Sequence, residues 1–232
     1  MDDIKRELAL GYRALGLNGI GLGMLAHLTV RRPGASTFFT YQLGLSVEEV
    51  KVSDIREVDF ALNVVDGSGE INPSLGIHGD IYAARPDVLC IAHHHGDNGV
   101  ALGAQGGELL PIDRNAARWH GQIGVAGDYE SLPLFEQGPA MVSSLGGLKA
   151  LFLKHHGMLI TGGSIPDVVV ATVELERSCG VQLKANAGGR PDVMGPAEIE
   201  DARHILSSPR FYNYTWAYYM RLLARRGLAD ID

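Results

Sequence analysis

Two short apolar runs in the sequence end in adjacent histidines followed by a glycine. The first run, Val88 to His93, continues as His94-His95-Gly96. The second, Ala150 to Lys154, continues as His155-His156-Gly157. A continuous apolar run of this length is typical of a strand buried on both faces of a sheet. The pattern therefore predicts two core strands, each ending in histidines.

The spacing within the first cluster determines which histidines can act together. Because side chains alternate across a strand, His93 and His95 face one side and His94 faces the other. Two imidazoles at positions i and i+2 can bind one divalent metal ion, and a histidine of the second cluster could complete a three-histidine site with an open position for substrate. The alternative is that these histidines are hydrogen-bonded in the core. Spacing alone does not show that the two clusters meet.

The length of the chain and the alternation of its elements indicate one α/β domain. The 232 residues are within the range of a single domain. Apolar periodicity and turn residues predict helices over 3–16, 76–85, 138–148, 164–187, 196–206 and 209–226, and strands over 28–30, 37–40, 53–65, 88–93 and 150–154. The expected architecture is a central mixed or antiparallel sheet with helices on its faces.

The charge balance argues against a nucleic-acid partner. Lys and Arg total 20 against 27 Asp and Glu, and the compact basic clusters are only the pairs at 31–32 and 225–226. No apolar stretch approaches the roughly 20 residues that span a bilayer, and the N-terminus lacks the features of a signal peptide. Two cysteines among apolar or small neighbours favour a reducing compartment. We therefore expect a cytoplasmic protein with no membrane partner.

Three motifs, at residues 77–88, 93–95 and 155–157, resemble in this order those of the class II aldolase/adducin family. The first reads Ile-His-Gly-Asp-Ile-Tyr-Ala-Ala-Arg-Pro-Asp-Val. The resemblance covers most of the chain, and it implies a single three-layer α/β/α domain over residues 1–232 with a central, largely antiparallel sheet. It also implies one divalent metal ion per subunit, whether zinc, manganese or another first-row ion. The implied metal ligands are His93, His95 and His156.

The resemblance has implications for assembly as well. It implies a homotetramer with active sites at subunit interfaces. Residues 190–232 form a C-terminal helical extension rich in aromatic residues, which we expect at a subunit interface. A lid over the site and packing on the same domain are the alternatives for these aromatic residues.

The chain departs from the family's sugar-phosphate aldolases at two places. Those enzymes carry a glutamate, their proton-transfer base, four residues before the histidine that corresponds to His78, and here Ser74 occupies that position. A serine hydroxyl cannot replace the carboxylate because it does not ionise near neutral pH. The aldolases' phosphate-binding Gly-Asn-x-Ser segment is replaced by Ala-His-Leu-Thr at 26–29. The aldolase tyrosine supplied by a neighbouring subunit has no clear match, since Tyr129 falls late.

A site with three metal histidines but no carboxylate base favours decarboxylation, which needs a Lewis acid and a proton donor. We therefore expect a lyase that decarboxylates a small hydroxylated aromatic or heteroaromatic acid, an anionic substrate. The candidate proton donors are His27, His78 and His120, and the candidate substrate contacts are Arg31, Ser74 and His94. Two alternatives stay open: an aldolase for a non-phosphorylated hydroxy-keto acid or sugar, and a non-catalytic adducin-like interaction module.

Overall fold

A computed structural model of the chain describes residues 3–21, 23–24 and 26–232. The signal-peptide prediction therefore falls partly outside the described residues. Within them, one sheet contains eight strands: β1 (Ala26–Val30), β2 (Thr37–Tyr41), β3 (Ile55–Asp59), β4 (Val64–Asp66), β5 (Cys90–His94), β6 (Ile123–Ala126), β7 (Ala150–Leu153) and β8 (Gly157–Gly162). The α-helices are α1 (Asp3–Leu17), α2 (Gly76–Ala84), α3 (Asp97–Ala104), α4 (Arg114–Arg118), α5 (Leu134–Leu145), α6 (Ile165–Ala187), α7 (Pro196–Leu206) and α8 (Pro209–Arg225).

The sheet has the order β4-β3-β2-β1-β5-β8-β7-β6. All neighbouring strands are antiparallel except β6 and β7, which are parallel. This topology confirms the expected α/β fold with a central, largely antiparallel sheet. The strand β5 lies in the interior of the sheet between β1 and β8. His93 and His94 at the end of β5, and His95 directly after it, therefore lie near the middle of the sheet, at the side where β5 ends.

Helices cover both faces of the sheet. Ile91 and Ala92 are neighbours on β5, yet their side chains lie in different hydrophobic cores because strand side chains alternate. Ala92 belongs to the core that includes residues of α1, α6 and α8. Ile91 belongs to the core that includes residues of α2 and α5. None of the described helices is both long and apolar enough to cross a membrane.

Several elements differ from the sequence prediction. The single strand predicted over 53–65 is divided into β3 and β4 by a turn at 60–61, and α3, β6 and β8 were not predicted. The helix α5 covers Leu134–Leu145 rather than 138–148. The prediction set Pro139 in the first turn, where the missing N–H of proline costs no hydrogen bond, whereas the structure has Pro139 inside the helix. The strand β8 was not predicted, since glycines bound it on both sides. It nevertheless joins β5 to β7.

A buried ion-pair group joins α4 to α6. Arg118 lies 3.1 Å from Asp167 and 3.5 Å from Glu174, and 8% of its side chain is exposed. Burial raises the pKa of Glu174 to about 7, while Arg118 acts in the opposite direction. The carboxyl group of Glu174 therefore ionises near neutral pH in the folded protein.

Replacing Glu174 by glutamine should remove a pH dependence of stability. Between about pH 5 and pH 7 the unfolded chain has released this proton while the folded chain still holds it, so stability falls as the pH rises. Relative to Glu174→Gln, the free energy of unfolding of the wild type should fall by roughly 1–3 kcal/mol across this window. Urea titrations at several pH values measure the difference, and a difference that stays constant with pH would contradict the raised pKa.

Candidate metal centre

The end of β5 places His93 and His95 on one face of the sheet. His93 lies on the same side of the strand as Ile91, which faces the α2 and α5 layer. His95 comes directly after the last residue of the strand, and its ring centroid lies 4.8 Å from that of His93. The alternation inferred from the sequence therefore brings these two imidazoles together.

The hairpin of β7 and β8 brings His156 to the same place. Residues 154–156 form its turn, and β8 pairs with β5, which sets the turn beside the end of β5. His155 has a φ of +64° and an exposed side chain, whereas His156 lines the cavity next to His93. A Cβ at Gly157 would lie 2.3 Å from the carbonyl oxygen of His94. Glycine is thus required for the close approach that joins the two clusters.

The Nε2 atoms of the three histidines converge. The Nε2 of His95 lies 2.9 Å from that of His93 and 2.8 Å from that of His156. The outer nitrogens have other partners: Nδ1 of His93 donates to the carbonyl of Met158 at 3.0 Å, and Nδ1 of His156 donates to the carboxylate of Glu130 at 2.5 Å. In the neutral rings the Nε2 atoms of His93 and His156 therefore carry lone pairs. At most one proton, on His95, can lie among the three nitrogens.

This donor set fits a divalent cation. Three neutral imidazoles that direct lone pairs at one point repel one another unless a cation lies between them, and one cation can reach ligand atoms that all lie within 4.8 Å of one another. Metal-binding histidines usually donate their other ring N–H to a carbonyl or carboxylate, as His93 and His156 do. Burial lowers the pKa of both His93 and His95, so neither ring competes for a proton near pH 7.

Two residues beside His156 were not predicted as part of the site. The hydroxyl of Tyr129 lies 2.5 Å from the Nδ1 of His156, the same nitrogen that contacts Glu130. Burial raises the pKa of Tyr129, and Glu130 raises it further, so the phenol stays protonated. The contact follows from the parallel pairing of β6 with β7. Ala126 pairs with Leu153, and Tyr129 and His156 lie three residues after Ala126 and Leu153, respectively. That register is a property of the fold, and no sequence motif records it.

A cavity of about 230 Å³ opens over the three histidines. Its apolar lining consists of Met24, Ile77, Leu153 and Leu159, and its further polar lining consists of His27, Asn72, Ser74, His78, Tyr129 and Gln137. Among the described lining residues there is no aspartate, glutamate, lysine or arginine. Ser74 lies in this cavity, as expected for the residue at the position of the aldolase glutamate. Glu70, the carboxylate nearest to Ser74 in the sequence, is exposed and does not line the cavity.

His27 is held in the cavity by Asn72. The amide oxygen of Asn72 accepts hydrogen bonds from the backbone N–H and the hydroxyl of Ser74, which fixes the orientation of the amide. The amide nitrogen of Asn72 then donates to the Nε2 of His27 at 2.9 Å. Burial, together with the nearby His95 and His156, lowers the pKa of His27 to about 4. His27 is therefore neutral near pH 7, and its Nε2 is already occupied as an acceptor.

His78 reaches the cavity from α2. It is 1% exposed, and its Nδ1 lies 2.8 Å from the hydroxyl of Thr29. Burial lowers the pKa of His78 well below its usual value, so this ring is also neutral. His93, His95 and His156 are called the metal-type cluster below. Two of the three predicted proton donors, His27 and His78, therefore line the same cavity as this cluster.

The other predicted site residues lie elsewhere. His120 follows α4, is exposed, and does not line the cavity. His94 is fully buried on the opposite face of β5, where its Nδ1 accepts a hydrogen bond from the backbone N–H of Gly96. The structure therefore does not bring His120, the predicted proton donor, or His94, the predicted substrate contact, into the lining of this cavity.

Arg31 is a structural residue rather than a substrate contact. It is 6% exposed, and its guanidinium donates to the carbonyl oxygens of Val88, Tyr82 and Arg85 at 2.9, 2.8 and 2.7 Å. The group also lies 5.0 Å from the centre of the Tyr82 ring. Three of its N–H groups join the end of β1 to the end of α2, and Arg31 is not among the residues that line the cavity.

Comparison with known proteins places this fold and cluster in a family. The sequence model of the class II aldolase and adducin N-terminal domain matches residues 6–183. The chain belongs to this family.

Three known proteins illustrate the range of relatives. The chain is 31% identical over 192 residues to decarboxylase NovR of Streptomyces niveus, covering 81% of this chain and 70% of that protein. It is 31% identical over 201 residues to alpha-adducin of Rattus norvegicus, covering 82% of this chain but 26% of that protein. The structure is similar to L-fuculose 1-phosphate aldolase from Glaciozyma antarctica, with a TM-score of 0.88, 25% identity, and coverage of 98% of this chain and 91% of that chain.

Removing one imidazole of the cluster should abolish metal binding. His93→Ala leaves two histidine ligands, and we expect its affinity for Zn²⁺ to fall at least about 100-fold. His120→Ala is the matched control, because it removes an exposed histidine outside the cavity and should retain the wild-type metal content. Metal analysis after dialysis against metal-free buffer measures both variants. Stoichiometric metal in His93→Ala would contradict the assignment.

Replacing Arg31 by lysine should destabilise the fold. Lysine keeps the charge but lacks the planar group that reaches three carbonyls, so buried acceptors lose their donors. We expect the free energy of unfolding to fall by about 2–4 kcal/mol, with the metal content of the folded protein unchanged. Thermal and urea denaturation test this. An unchanged free energy of unfolding would contradict the structural role of Arg31.

Proposed function

We propose that the protein is a divalent-metal-dependent lyase that decarboxylates a small hydroxylated aromatic or heteroaromatic mono- or dicarboxylic acid. The observation that carries the proposal is a cavity in which three histidines converge while Ser74 occupies the place of a carboxylate base. Class II aldol chemistry needs a base to remove a carbon-bound proton. Decarboxylation releases the electron pair by breaking a carbon–carbon bond, and it needs no such base.

In this proposal His93, His95 and His156 hold one divalent ion per subunit. When bound, the ion would act as a Lewis acid toward the oxygens of the substrate. Met158, through its carbonyl, and Glu130, through its carboxylate, orient two of the ligand rings. Imidazole suits zinc, manganese and other first-row ions, and the donor set does not select among them.

The lining of the cavity suits a flat and mostly apolar acid. Ile77, Leu153 and Leu159 supply apolar walls that can contact an aromatic ring. Without a lysine or arginine among the described lining residues, the negative charge of the substrate is balanced by the metal and by neutral donors. Tyr129 and His78 are such donors at the cavity wall. On the side of the sheet the cavity ends at His93, which is 9% exposed.

Among the predicted proton donors, His78 supports the role best. Burial keeps His27 neutral, and its Nε2 accepts a hydrogen bond from the amide nitrogen of Asn72. A proton on this Nε2 would therefore face the N–H of Asn72, and neither group could accept. His78 lines the cavity and has no hydrogen-bond partner at Nε2 among the described residues. Its Nε2–H can donate a hydrogen bond to the substrate, and a proton passed from this nitrogen to the carbanion would be replaced from water, so that the ring stays neutral. The name of the relative decarboxylase NovR is consistent with this reaction class.

Two other functions have specific support. The similarity to L-fuculose 1-phosphate aldolase favours an aldolase for a non-phosphorylated hydroxy-keto acid or sugar, in which water or His27 replaces the missing glutamate. The identity with alpha-adducin favours a non-catalytic interaction module. Purified protein that contains no metal under non-chelating conditions would support the module.

We also propose that the chain forms a homotetramer with active sites at the subunit interfaces. The C-terminal extension over 190–232 is the proposed interface segment, because Tyr214 and Tyr218 on α8 are 65% and 45% exposed. Light scattering coupled to size-exclusion chromatography measures the oligomeric state. The proposed cytoplasmic location follows from the sequence expectations alone.

Carbon dioxide release should identify the reaction. Incubated with Zn²⁺ or Mn²⁺ and a panel of hydroxylated benzoic and pyridine carboxylic acids, the wild type should release one carbon dioxide for each acid consumed. His156→Ala should lose the activity at least about 100-fold. Release of pyruvate or glycolaldehyde from hydroxy-keto acids, with no carbon dioxide from the panel, would establish the aldolase instead.

A further inference from the structure

A chain of three buried polar groups runs from the interior of the protein to the cavity. The hydroxyl of Tyr82 lies 2.8 Å from the hydroxyl of Thr29, which in turn lies 2.8 Å from the Nδ1 of His78. Tyr82 and His78 are each 1% exposed, and Thr29 is fully buried. The chain ends at the cavity, which His78 lines. No step of the proposed reaction has yet used Tyr82 or Thr29.

The direction of the hydrogen bonds follows from counting donors. The hydroxyl of Tyr82 has Thr29 as its hydrogen-bond partner among the described residues, so its proton is satisfied only if it donates to Thr29. The proton of Thr29 then has one remaining acceptor, the Nδ1 of His78. This nitrogen must carry a lone pair, and in a neutral imidazole the proton then lies on Nε2.

The opposite direction leaves a buried donor without an acceptor. If Nδ1 of His78 carried the proton and donated to Thr29, either the hydroxyl proton of Tyr82 or that of Thr29 would have no partner among the described residues. An unsatisfied buried donor is unfavourable enough to bias the tautomers by roughly 10- to 100-fold. Burial also raises the pKa of Tyr82 well above its usual value, so the phenol keeps the proton that begins the chain.

We infer that Tyr82, acting through Thr29, is a positioning residue that fixes His78 as the Nε2–H tautomer and thereby makes it a hydrogen-bond donor to an oxygen of the substrate. The tautomer does not depend on the proposed function, whereas the contact with a carboxylate or hydroxyl oxygen of the substrate rests on it. The site is then specific for an acceptor at this wall of the cavity.

His27 and His78, the two lining histidines outside the metal-type cluster, carry their ring protons on different nitrogens. Asn72 donates to the Nε2 of His27, so the proton of His27 lies on Nδ1, which is buried and has no hydrogen-bond partner among the described residues. Thr29 occupies the Nδ1 of His78, so the proton of His78 lies on the nitrogen that has no other partner among the described residues. His78 is therefore the histidine outside the metal-type cluster that offers an N–H to a ligand.

The packing around Tyr82 holds the start of the chain in place. The ring of Tyr82 packs against both Phe38 and Phe60, with centroid distances of 5.4 and 6.2 Å. Arg31 lies over the same ring and donates to the backbone carbonyl of Tyr82. These contacts with Tyr82 explain why Arg31 is buried near the cavity although it does not line the cavity.

The tautomer of His78 can be measured directly. In the purified full-length protein labelled with ¹⁵N-histidine, two-dimensional correlation of the ring protons and nitrogens distinguishes the protonated nitrogen of each imidazole. We expect His78 to be protonated at Nε2, with less than about 10% of the Nδ1–H form, both before and after addition of Zn²⁺. A predominant Nδ1–H form, or a doubly protonated ring near pH 7, would overturn the inference. This measurement needs no variant to fold.

Tyr82→Phe tests the origin of the tautomer. The variant removes the first donor, which frees Thr29 to accept from Nδ1, and the Nδ1–H form of His78 should become readily detectable. Tyr41→Phe is the matched control, because it removes a buried hydroxyl that donates to the carbonyl of Ala26 and has no bond to His78. An unchanged tautomer in folded Tyr82→Phe would overturn the role of Tyr82. Thr29→Ser retains the hydroxyl and should retain the wild-type tautomer.

Titration with 4-hydroxybenzoate tests the contact with substrate. Binding should shift the Nε2–H resonance of His78, and Tyr82→Phe should weaken the affinity about 5- to 10-fold while Tyr41→Phe leaves it unchanged. Binding without a change at His78 would overturn the substrate contact and leave the tautomer intact. Failure to release carbon dioxide would instead count against the proposed reaction, since neither the tautomer nor this binding measurement involves turnover.

Discussion

The site depends on the pairing of β8 with both β5 and β7. This pairing sets the turn at 154–156 beside the end of β5, and the glycine at 157 lets the two backbones approach closely. Three Nε2 atoms then share one small volume with at most one proton among them. Hydrogen bonds to Met158 and Glu130 keep the lone pairs of His93 and His156 directed inward. Without a cation, mutual repulsion of these lone pairs would oppose the strand pairing that creates the cluster.

The chemistry of the site is determined by which charged groups are absent from its described lining. Ser74 and Asn72 form a hydrogen-bonded pair where an aldolase of this family has its carboxylate, and the pair orients His27 instead of removing a proton. Arg31, which the sequence offered as an anion-binding group, supports the backbone and the ring of Tyr82. This member of the class II aldolase and adducin family thus has three converging histidines in a cavity whose other described lining residues carry no carboxylate, lysine or arginine.

The sequence was sufficient for features that depend on local periodicity. Alternation along β5 predicted that His93 and His95 share a face. The helix predicted over 164–187 is observed as α6, where Ser164 accepts a hydrogen bond from the backbone N–H of Asp167 at the first turn. Features that depend on long-range register were not predictable in this way. Tyr129 and Glu130 reach His156 because β6 pairs with β7 in parallel, and His120 lies outside the cavity because α4 packs against α6 and α7. The hydrogen-bond chain joins Tyr82 and His78, both on α2 and within the motif at 77–88, through Thr29 on β1, and only the fold brings Thr29 between them.

The central claim is that three imidazole nitrogens bind one metal ion. X-ray absorption spectroscopy of the zinc-loaded protein at the zinc edge measures the identity, number and distance of the ligand atoms. The account predicts three imidazole nitrogens at about 2.0–2.1 Å, with oxygen from solvent or substrate as the remaining ligand. A shell that contains sulfur, or one with fewer than two imidazoles, would contradict it.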